Sequence, residues 1–329
     1  MGMQQAIDLI NSSQSILLTG HLRADGDCLG AQIVLYYVFK NLGKEVQIML
    51  PNPPDQRYGF LEEQTAWQIF DKELPEYDLL VACDCNELPR LGDMVPLIAQ
   101  RQQPKIVVDH HIMMTPEDWD GAYHDVSAAA SGILAIELAE RLGISDLPIA
   151  AYEAAFVALM TDTGWLKYSN SDQRAWDMSS KLIAKGVDAS KVYDLVYQQL
   201  EPGRPRGVAA ALQNLEYYAD GQLAVAWVTD ELLDECNGTL QDTDEVLDII
   251  RAVGQVETVA LLCERDEGQI KVSFRSKSSI DVNKVARRIG GGGHARAAGA
   301  SFERSIGMPA AIAQTLEVLL DEIAQQSCS

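Results

Sequence analysis

No apolar run in this chain of 329 residues approaches the ~20 residues that a membrane-crossing helix needs, so no membrane association is expected. The stretch from Met1 to Asn11 carries Asp8 and no Lys or Arg, which argues against a signal or transit peptide. Cysteine is sparse: six residues, with Cys83-Asp84-Cys85 as the only close pair. No two Cys-x-x-Cys pairs face each other, so a zinc ribbon is unsupported, and the chain reads as cytoplasmic with reduced thiols. Positive charge is also short. Against 48 Asp and Glu stand 26 Lys and Arg, a formal charge of −22. Such a surface repels nucleic acid at long range and argues against a duplex binder. What remains is 47% hydrophobic and 22% charged, an ordinary globular composition rather than a disordered one. At ~150 residues per domain, the length suggests roughly two domains.

Short apolar runs alternate with helical patterns over the first two hundred residues, which predicts βαβ units and a parallel sheet. Strands are expected at Ser15 to Thr19, Glu45 to Leu50, Tyr77 to Cys83 and Lys105 to Val108. Helices are expected at Ala31 to Leu42, Ser131 to Leu142, Ile149 to Thr161, Ser171 to Lys185 and Ser190 to Gln199. The segment Glu201 to Gly207, with two prolines and two glycines, breaks the periodicity and reads as a linker. A helix over Val208 to Tyr218 would then lead into a smaller α/β domain. There Val259 to Cys263 and Ile270 to Phe274 flank Asp266-Glu267-Gly268, whose chemistry suits a hairpin turn. The expected organisation is a catalytic domain over 1–200, a linker and connecting helix over 201–218, and a second α/β domain over 219–329.

Histidine is rare, with five residues, and four of them fall in unusual local sequences. His21-Leu-Arg-Ala-Asp25-Gly-Asp27 begins where the first strand ends. Asp84 directly follows one apolar run, Asp109-His110-His111 follows another, and Asp162 ends an apolar segment in Thr161-Asp-Thr-Gly164. His124 fits no motif and reads as a surface residue. In an open α/β sheet the strand carboxyl ends share one edge, where ligands bind. His21, Asp25, Asp27, Asp84, Asp109, His110, His111 and Asp162 would thus meet in one crevice. So many carboxylates together are electrostatically prohibitive without cations, which makes metal binding the natural explanation. Mixed imidazole and carboxylate donors suit Mn²⁺, with Mg²⁺ or Co²⁺ as alternatives. Two such ions ~3.5–4 Å apart can activate water and stabilise a leaving oxygen in phosphoryl displacement.

The positive charge that exists is concentrated. Between Lys271 and Arg296 lie seven basic residues and one acid, Asp281. Within this island Gly290 to Gly293 lack side chains, so backbone N–H groups there can approach a phosphate closely. Arg275, Ser276, Asn283, His294 and Arg296 surround the run and offer donors to phosphate and base.

These segments resemble the motifs of the DHH phosphoesterase superfamily, named for the triplet found here as Asp109-His110-His111. Gly291-Gly-Gly-His294-Ala-Arg-Ala297-Ala298-Gly299 resembles the signature of the associated DHHA1 domain, and the motifs run in the expected order from His21 to Gly299. The likeness is greatest to compact two-domain members of the nanoRNase and pAp phosphatase type. The resemblance implies that His21, Asp25 and Asp84 hold one metal, and that Asp27, Asp84, His110 and Asp162 hold a second. Asp84 would bridge, His111 would face the scissile phosphate, and Asp109 would orient its neighbours. It also implies that Arg275, Ser276, Asn283, Gly291, Gly292, Gly293 and His294 contact the nucleotide; with Arg296, which the residues around the glycine run add, they would face the metals across an interdomain cleft. Family members often carry proline where this chain has Ala24, a change that removes loop stiffness but no ligand.

The reading is therefore a metal-dependent phosphoesterase that hydrolyses short oligoribonucleotides to 5′-mononucleotides, and nucleotide bisphosphates such as pAp. A homodimer is compatible with it. The alternatives are a linear dinucleotide (pApA) phosphodiesterase of cyclic-di-AMP turnover, a RecJ-like single-strand exonuclease, and a non-catalytic nucleotide-sensing module.

Overall fold

Apolar runs that stop abruptly at a polar residue become, in the computed structural model, strands buried on both faces. The structure describes residues 2–113, 115–240, 244–265 and 268–327. The chain divides into two compact units, Met1–Gln199 and Leu200–Ser329.

In the first unit the described strands are β1 (Ser15–Gly20), β2 (Glu45–Leu50), β3 (Gln68–Ile69), β4 (Leu79–Cys83), β5 (Lys105–Asp109) and β6 (Gly121–His124). They form one sheet in the order β3-β2-β1-β4-β5-β6, parallel throughout. Successive side chains enter different cores. Ile16 and Leu18 pack with residues of the helices Gly26–Asn41, Ser131–Arg141 and Ile149–Asp162, whereas Leu17 packs with Leu80, Met94 and Val107. Burial on both faces explains why these strands read as unbroken apolar runs. The order reverses at β1, with β2 and β3 on one side and β4 to β6 on the other. The carboxyl ends of β1 and β4 flank that switch point, where an open sheet leaves a ligand crevice. His21 directly follows β1, and Asp84 directly follows β4.

Three helices cover one face of this sheet, and small residues let them approach closely. A Cβ on Gly30 would lie 2.4 Å from the Ala154 carbonyl oxygen, and one on Gly132 would lie 2.3 Å from the Ala158 Cβ. A Cβ on Gly26 would lie 2.5 Å from Thr161 Oγ1. The start of one helix is thereby pressed against the end of another, next to Asp162.

The second unit holds β7 (Glu216–Tyr218), β8 (Leu223–Val228), β9 (Thr258–Arg265), β10 (Gln269–Ser276), β11 (Gly292–Gly293) and β12 (Ala297–Glu303), ordered β11-β12-β10-β9-β8-β7. β8 and β9 pair parallel and the other neighbours antiparallel. Leu223, Val225, Val272 and Phe274 bury one face, while Ala224, Ala226, Val259 and Leu261 bury the other.

Several elements differ from expectation. The first long helix starts at Gly26 rather than Ala31, because the Asp25 carboxylate caps it through the N–H groups of Asp27 (3.1 Å) and Cys28 (3.0 Å). β6 has only four residues, too few to show a period. The helix expected over Val208 to Tyr218 runs from Arg204 to Gln213, and Glu216–Tyr218 is a strand. Pro205 stands in its first turn, where proline's missing N–H costs no hydrogen bond, so the apparent breaker starts a helix. The hairpin expected at Asp266-Glu267-Gly268 falls largely outside the described residues, although β9 and β10 pair antiparallel from Arg265 and Gln269 onward.

Gly30→Ala forces a methyl group onto a backbone carbonyl, and such overpacking costs about 1–3 kcal/mol. Its thermal midpoint, followed by circular dichroism, should fall below that of the parent. Gly59→Ala should leave the midpoint unchanged, since nothing lies within 4 Å of the added carbon.

Candidate metal centre

The loop after β1 is built to aim His21. Leu22 N–H donates to the Arg90 carbonyl, and Arg23 N–H donates to Asn52 Oδ1, both at 2.8 Å. Arg23 takes φ +58°, a left-handed conformation that few side chains adopt unforced. The His21 Nδ1–H donates to the Leu22 carbonyl at 2.8 Å. Its Nε2 therefore faces Asp84 Oδ2 at 3.2 Å and Asp25 Oδ1 at 3.8 Å.

Asp27 lies in the first turn of the helix Gly26–Asn41 and is fully buried. Its carboxylate accepts the Ser131 N–H at 2.7 Å and the Gly132 N–H at 2.8 Å. These are first-turn donors of the helix Ser131–Arg141, where the helix itself provides no acceptor and the dipole favours an anion. Asp84 sits at φ +55°, and its Oδ1 accepts the Ser131 hydroxyl at 3.0 Å. Strain at such a residue persists only where its surroundings over-determine it. His110 donates from Nδ1 to the Ala128 carbonyl at 3.0 Å. Its Nε2 then stands 3.6 Å from each of Asp27 Oδ2, Asp84 Oδ1 and Asp162 Oδ2. Asp109 ends β5 wholly buried, and accepts the His111 backbone N–H at 2.8 Å and the His111 Nδ1–H at 2.9 Å.

The eight residues expected at the strand ends are thus brought together. Three groups each have ligand atoms within 4.8 Å of one another: His21 with Asp25 and Asp84, Asp27 with His110 and Asp162, and Asp84 with Asp109, His110 and His111. Their electrostatics are those of an uncompensated anionic site. Burial, with the charges of Asp84, Asp162 and Asp25, pushes the Asp27 carboxyl well above the usual range. Burial pushes Asp162 up to about 6, with Asp84 and Asp25 adding to it and His110 opposing it. Burial opposes a charge on His21, yet Asp25 and Asp84 hold it well above the imidazole range. Asp109 and Asp84 raise His111 to about 10. Asp84 itself is held low despite its burial, by His111 and His21. Its charge persists because imidazolium groups neutralise it. His21 Nε2, His110 Nε2 and Asp109 Oδ2 are buried without a hydrogen-bond partner, an arrangement native proteins seldom keep. Divalent cations would supply both the missing partners and the missing charge, so this donor set fits them.

The candidate substrate residues lie in the second unit. Arg275 and Ser276 end β10, and the Arg296 guanidinium donates to Ser276 Oγ (3.5 Å) and to the Ile280 carbonyl (3.0 Å). Asn283 Oδ1 is buried without a partner. The glycine run departs from a simple anion nest. The N–H groups of Gly290, Gly291 and His294 are engaged by the carbonyls of Arg287, Ala286 and Ala297. A Cβ on Gly291 would fall 2.1 Å from the Gly299 oxygen, and one on Gly293 2.6 Å from the Ala297 oxygen. These glycines are required by the close approach of β11 to β12, whereas Gly292 borders open space.

Two residues escaped the sequence reading. Ser131 links Asp27, 104 residues before it, to Asp84, 47 residues before it, and its only local signal was its place at a helix start. His124, read as a surface residue, is half-buried at the end of β6 with Nε2 2.6 Å from the His111 carbonyl. The missed strand hid it.

Comparison with known proteins places the chain in a family. The description "DHH family, N-terminal domain" matches residues 15–161, and "DHHA1 domain" matches residues 220–326. A Thermus thermophilus protein named bifunctional oligoribonuclease and PAP phosphatase NrnA is 27% identical over 310 residues, 94% of this chain and 90% of its own. The crystal structure of an exopolyphosphatase-related protein from Bacteroides fragilis shares the fold, with 24% identity and TM-score 0.88 over 98% of this chain and 97% of that one. So does RecJ of Thermus thermophilus, solved in complex with Mn²⁺, at 18% identity and TM-score 0.52 over 95% of this chain and 53% of that one.

Metal uptake at neutral pH should release protons. His21, held charged there by its carboxylate neighbours, must lose its proton before Nε2 can coordinate. Calorimetric titration with Mn²⁺ in buffers of different ionisation enthalpy measures that release. Apparent affinity should rise with pH through the neutral range, and heats identical in every buffer would overturn a charged His21 before metal binds.

Proposed function

Because the chain belongs to the DHH family, its DHH N-terminal domain being followed by a DHHA1 domain, we propose that it is a divalent-metal-dependent phosphoesterase that hydrolyses short oligoribonucleotides to 5′-mononucleotides and pAp to AMP. The observation that carries this reading is the convergence of three ligand groups on one site, with Asp84 belonging to two of them. The activities named for the Thermus relative support the choice of substrates. A net charge of −22 favours a small ligand over a long polymer, since it repels polyanions at range. No helix among the described residues is long and apolar enough to cross a membrane. The scattered cysteines, without a close pair beyond Cys83 and Cys85, favour a cytoplasmic enzyme with reduced thiols.

His21, Asp25 and Asp84 would hold one cation, and Asp27, Asp84, His110 and Asp162 a second, with Mn²⁺ the proposed occupant. Bound there, the ions supply Lewis-acid activation of water and of the phosphoryl oxygens. The chain's own residues prepare the rest. Asp27 is fixed by two helix N–H groups and cannot rotate away when the site is charged. Asp109 holds His111 through Nδ1, which leaves Nε2–H as a donor to a phosphate oxygen and stabilises charge that develops in the transition state. Arg275, Ser276, Asn283, Gly291 to Gly293, His294 and Arg296 would hold the base and the phosphate that does not react.

Product analysis with Mn²⁺ over pAp, pApA and RNAs of two to seven nucleotides tests the function. Mononucleotides from the short RNAs, together with AMP from pAp, are expected. Turnover of pApA alone would identify a dinucleotide phosphodiesterase instead, and no turnover with metal bound would identify a sensing module.

Arg275→Ala tests the division of labour. Loss of a charged hydrogen bond costs ~1.5–3 kcal/mol, roughly 10- to 150-fold in kcat/KM at 1.4 kcal/mol per decade. The loss should appear with a dinucleotide and not with bis(p-nitrophenyl) phosphate, which has no second phosphate or base to be held. Metal content should not change. Equal losses on both esters would show that Arg275 supports the fold.

A further inference from the structure

His111 is anchored from both ends of its own residue. On the amino side, Asp109 Oδ1 accepts the His111 backbone N–H at 2.8 Å and the ring Nδ1–H at 2.9 Å. On the carboxyl side, His124 Nε2–H donates to the His111 carbonyl at 2.6 Å. A carbonyl can only accept, so His124 Nε2 is the donor whichever charge its ring carries. Beyond His111, Met113 packs against the core under the sheet, but the residue between them is open. Ile112 is 74% exposed, and its carbonyl is held by one side-chain amide, Asn86 Nδ2 at 2.9 Å.

His124 itself rests on a rigid footing. It ends β6 in register with Asp109, so the sheet places the two residues side by side. The next residue, Asp125, accepts Arg174 Nη1 at 2.7 Å, and the same guanidinium donates from Nε to Glu137 at 2.8 Å. Glu137 belongs to the helix Ser131–Arg141, whose first N–H groups hold Asp27. The donor is therefore fixed to the same framework as the metal-facing carboxylates, although no ligand group among the described residues includes it.

We propose that His124 is a positioning residue for phosphate hydrolysis. It pins the His111 peptide, so that the His111 ring stays seated on Asp109 and keeps Nε2 directed to substrate. The inference rests on the role given above to His111. Without the pin, the peptide relaxes with the exposed Ile112, and the ring loses its fixed aim. A misplacement of this kind, on the order of an ångström, can cost about 100-fold in rate.

The test uses the full-length metal-loaded protein. His124→Ala removes the donor, whereas His124→Gln returns an amide N–H close to the position of Nε2. With bis(p-nitrophenyl) phosphate, and separately with pAp, H124A should lose about 10- to 100-fold in kcat at unchanged KM, metal content and thermal midpoint. H124Q should recover most of the loss. In protein labelled with ¹⁵N-histidine, the His111 Nδ1–H signal, protected by Asp109 in the parent and in H124Q, should exchange away in H124A. Unchanged kcat in H124A overturns the proposal. So does a loss that H124Q fails to restore, or one that comes with lower metal content or a lower midpoint, because each marks a merely structural role. A parent protein inactive on every ester would defeat the functional reading instead, and the Nδ1–H signal alone would then decide the role of His124.

Discussion

Carboxylates cannot be crowded in a buried space without compensation, and the first unit is arranged around that constraint. Asp27, Asp84 and Asp109 are all buried, with Asp25 and Asp162 beside them. Three kinds of compensation meet there. Helix N–H groups serve Asp27, imidazoles serve Asp84, and backbone and ring donors of His111 serve Asp109. What these donors leave unbalanced is the ligand capacity for cations, visible in His21 Nε2 and His110 Nε2.

The helices satisfy that constraint only because small residues let them come close. Gly26 packs on Thr161, Gly30 on Ala154, and Gly132 on Ala158. The first contact sets the start of one helix beside Asp162, and the last sets the helix N-terminus that holds Asp27. Stability and site geometry are therefore coupled at these glycines, where any side chain would separate the ligands as well as the helices. The second unit uses glycine in a related way. Gly291 and Gly293 let the turn close on β12.

The strand-end residues were legible in the sequence for a physical reason. Strands buried on both faces are apolar to their last residue, so Asp84 after Cys83 and the Asp109 triplet after Val108 mark the sheet edge by contrast alone. The charge island from Lys271 to Arg296 was legible in the same manner, as a departure from an acidic background. Four-residue β6 and the proline-initiated helix Arg204–Gln213 were not, because one is too short to show a period and the other begins with residues that usually end one.

By itself, then, the sequence determined which side chains stand at strand ends and that their summed charge calls for cations, since both follow from local order and composition. Only the tertiary structure decided who faces whom. The order β3-β2-β1-β4-β5-β6 set Asp84 between His21 and His110. The close packing of three helices brought Ser131 to Asp27 and Asp84, and the register of β5 with β6 brought His124 to His111. Such pairings join residues far apart along the chain, and strand order and helix packing come from the burial of whole faces rather than from any local pattern.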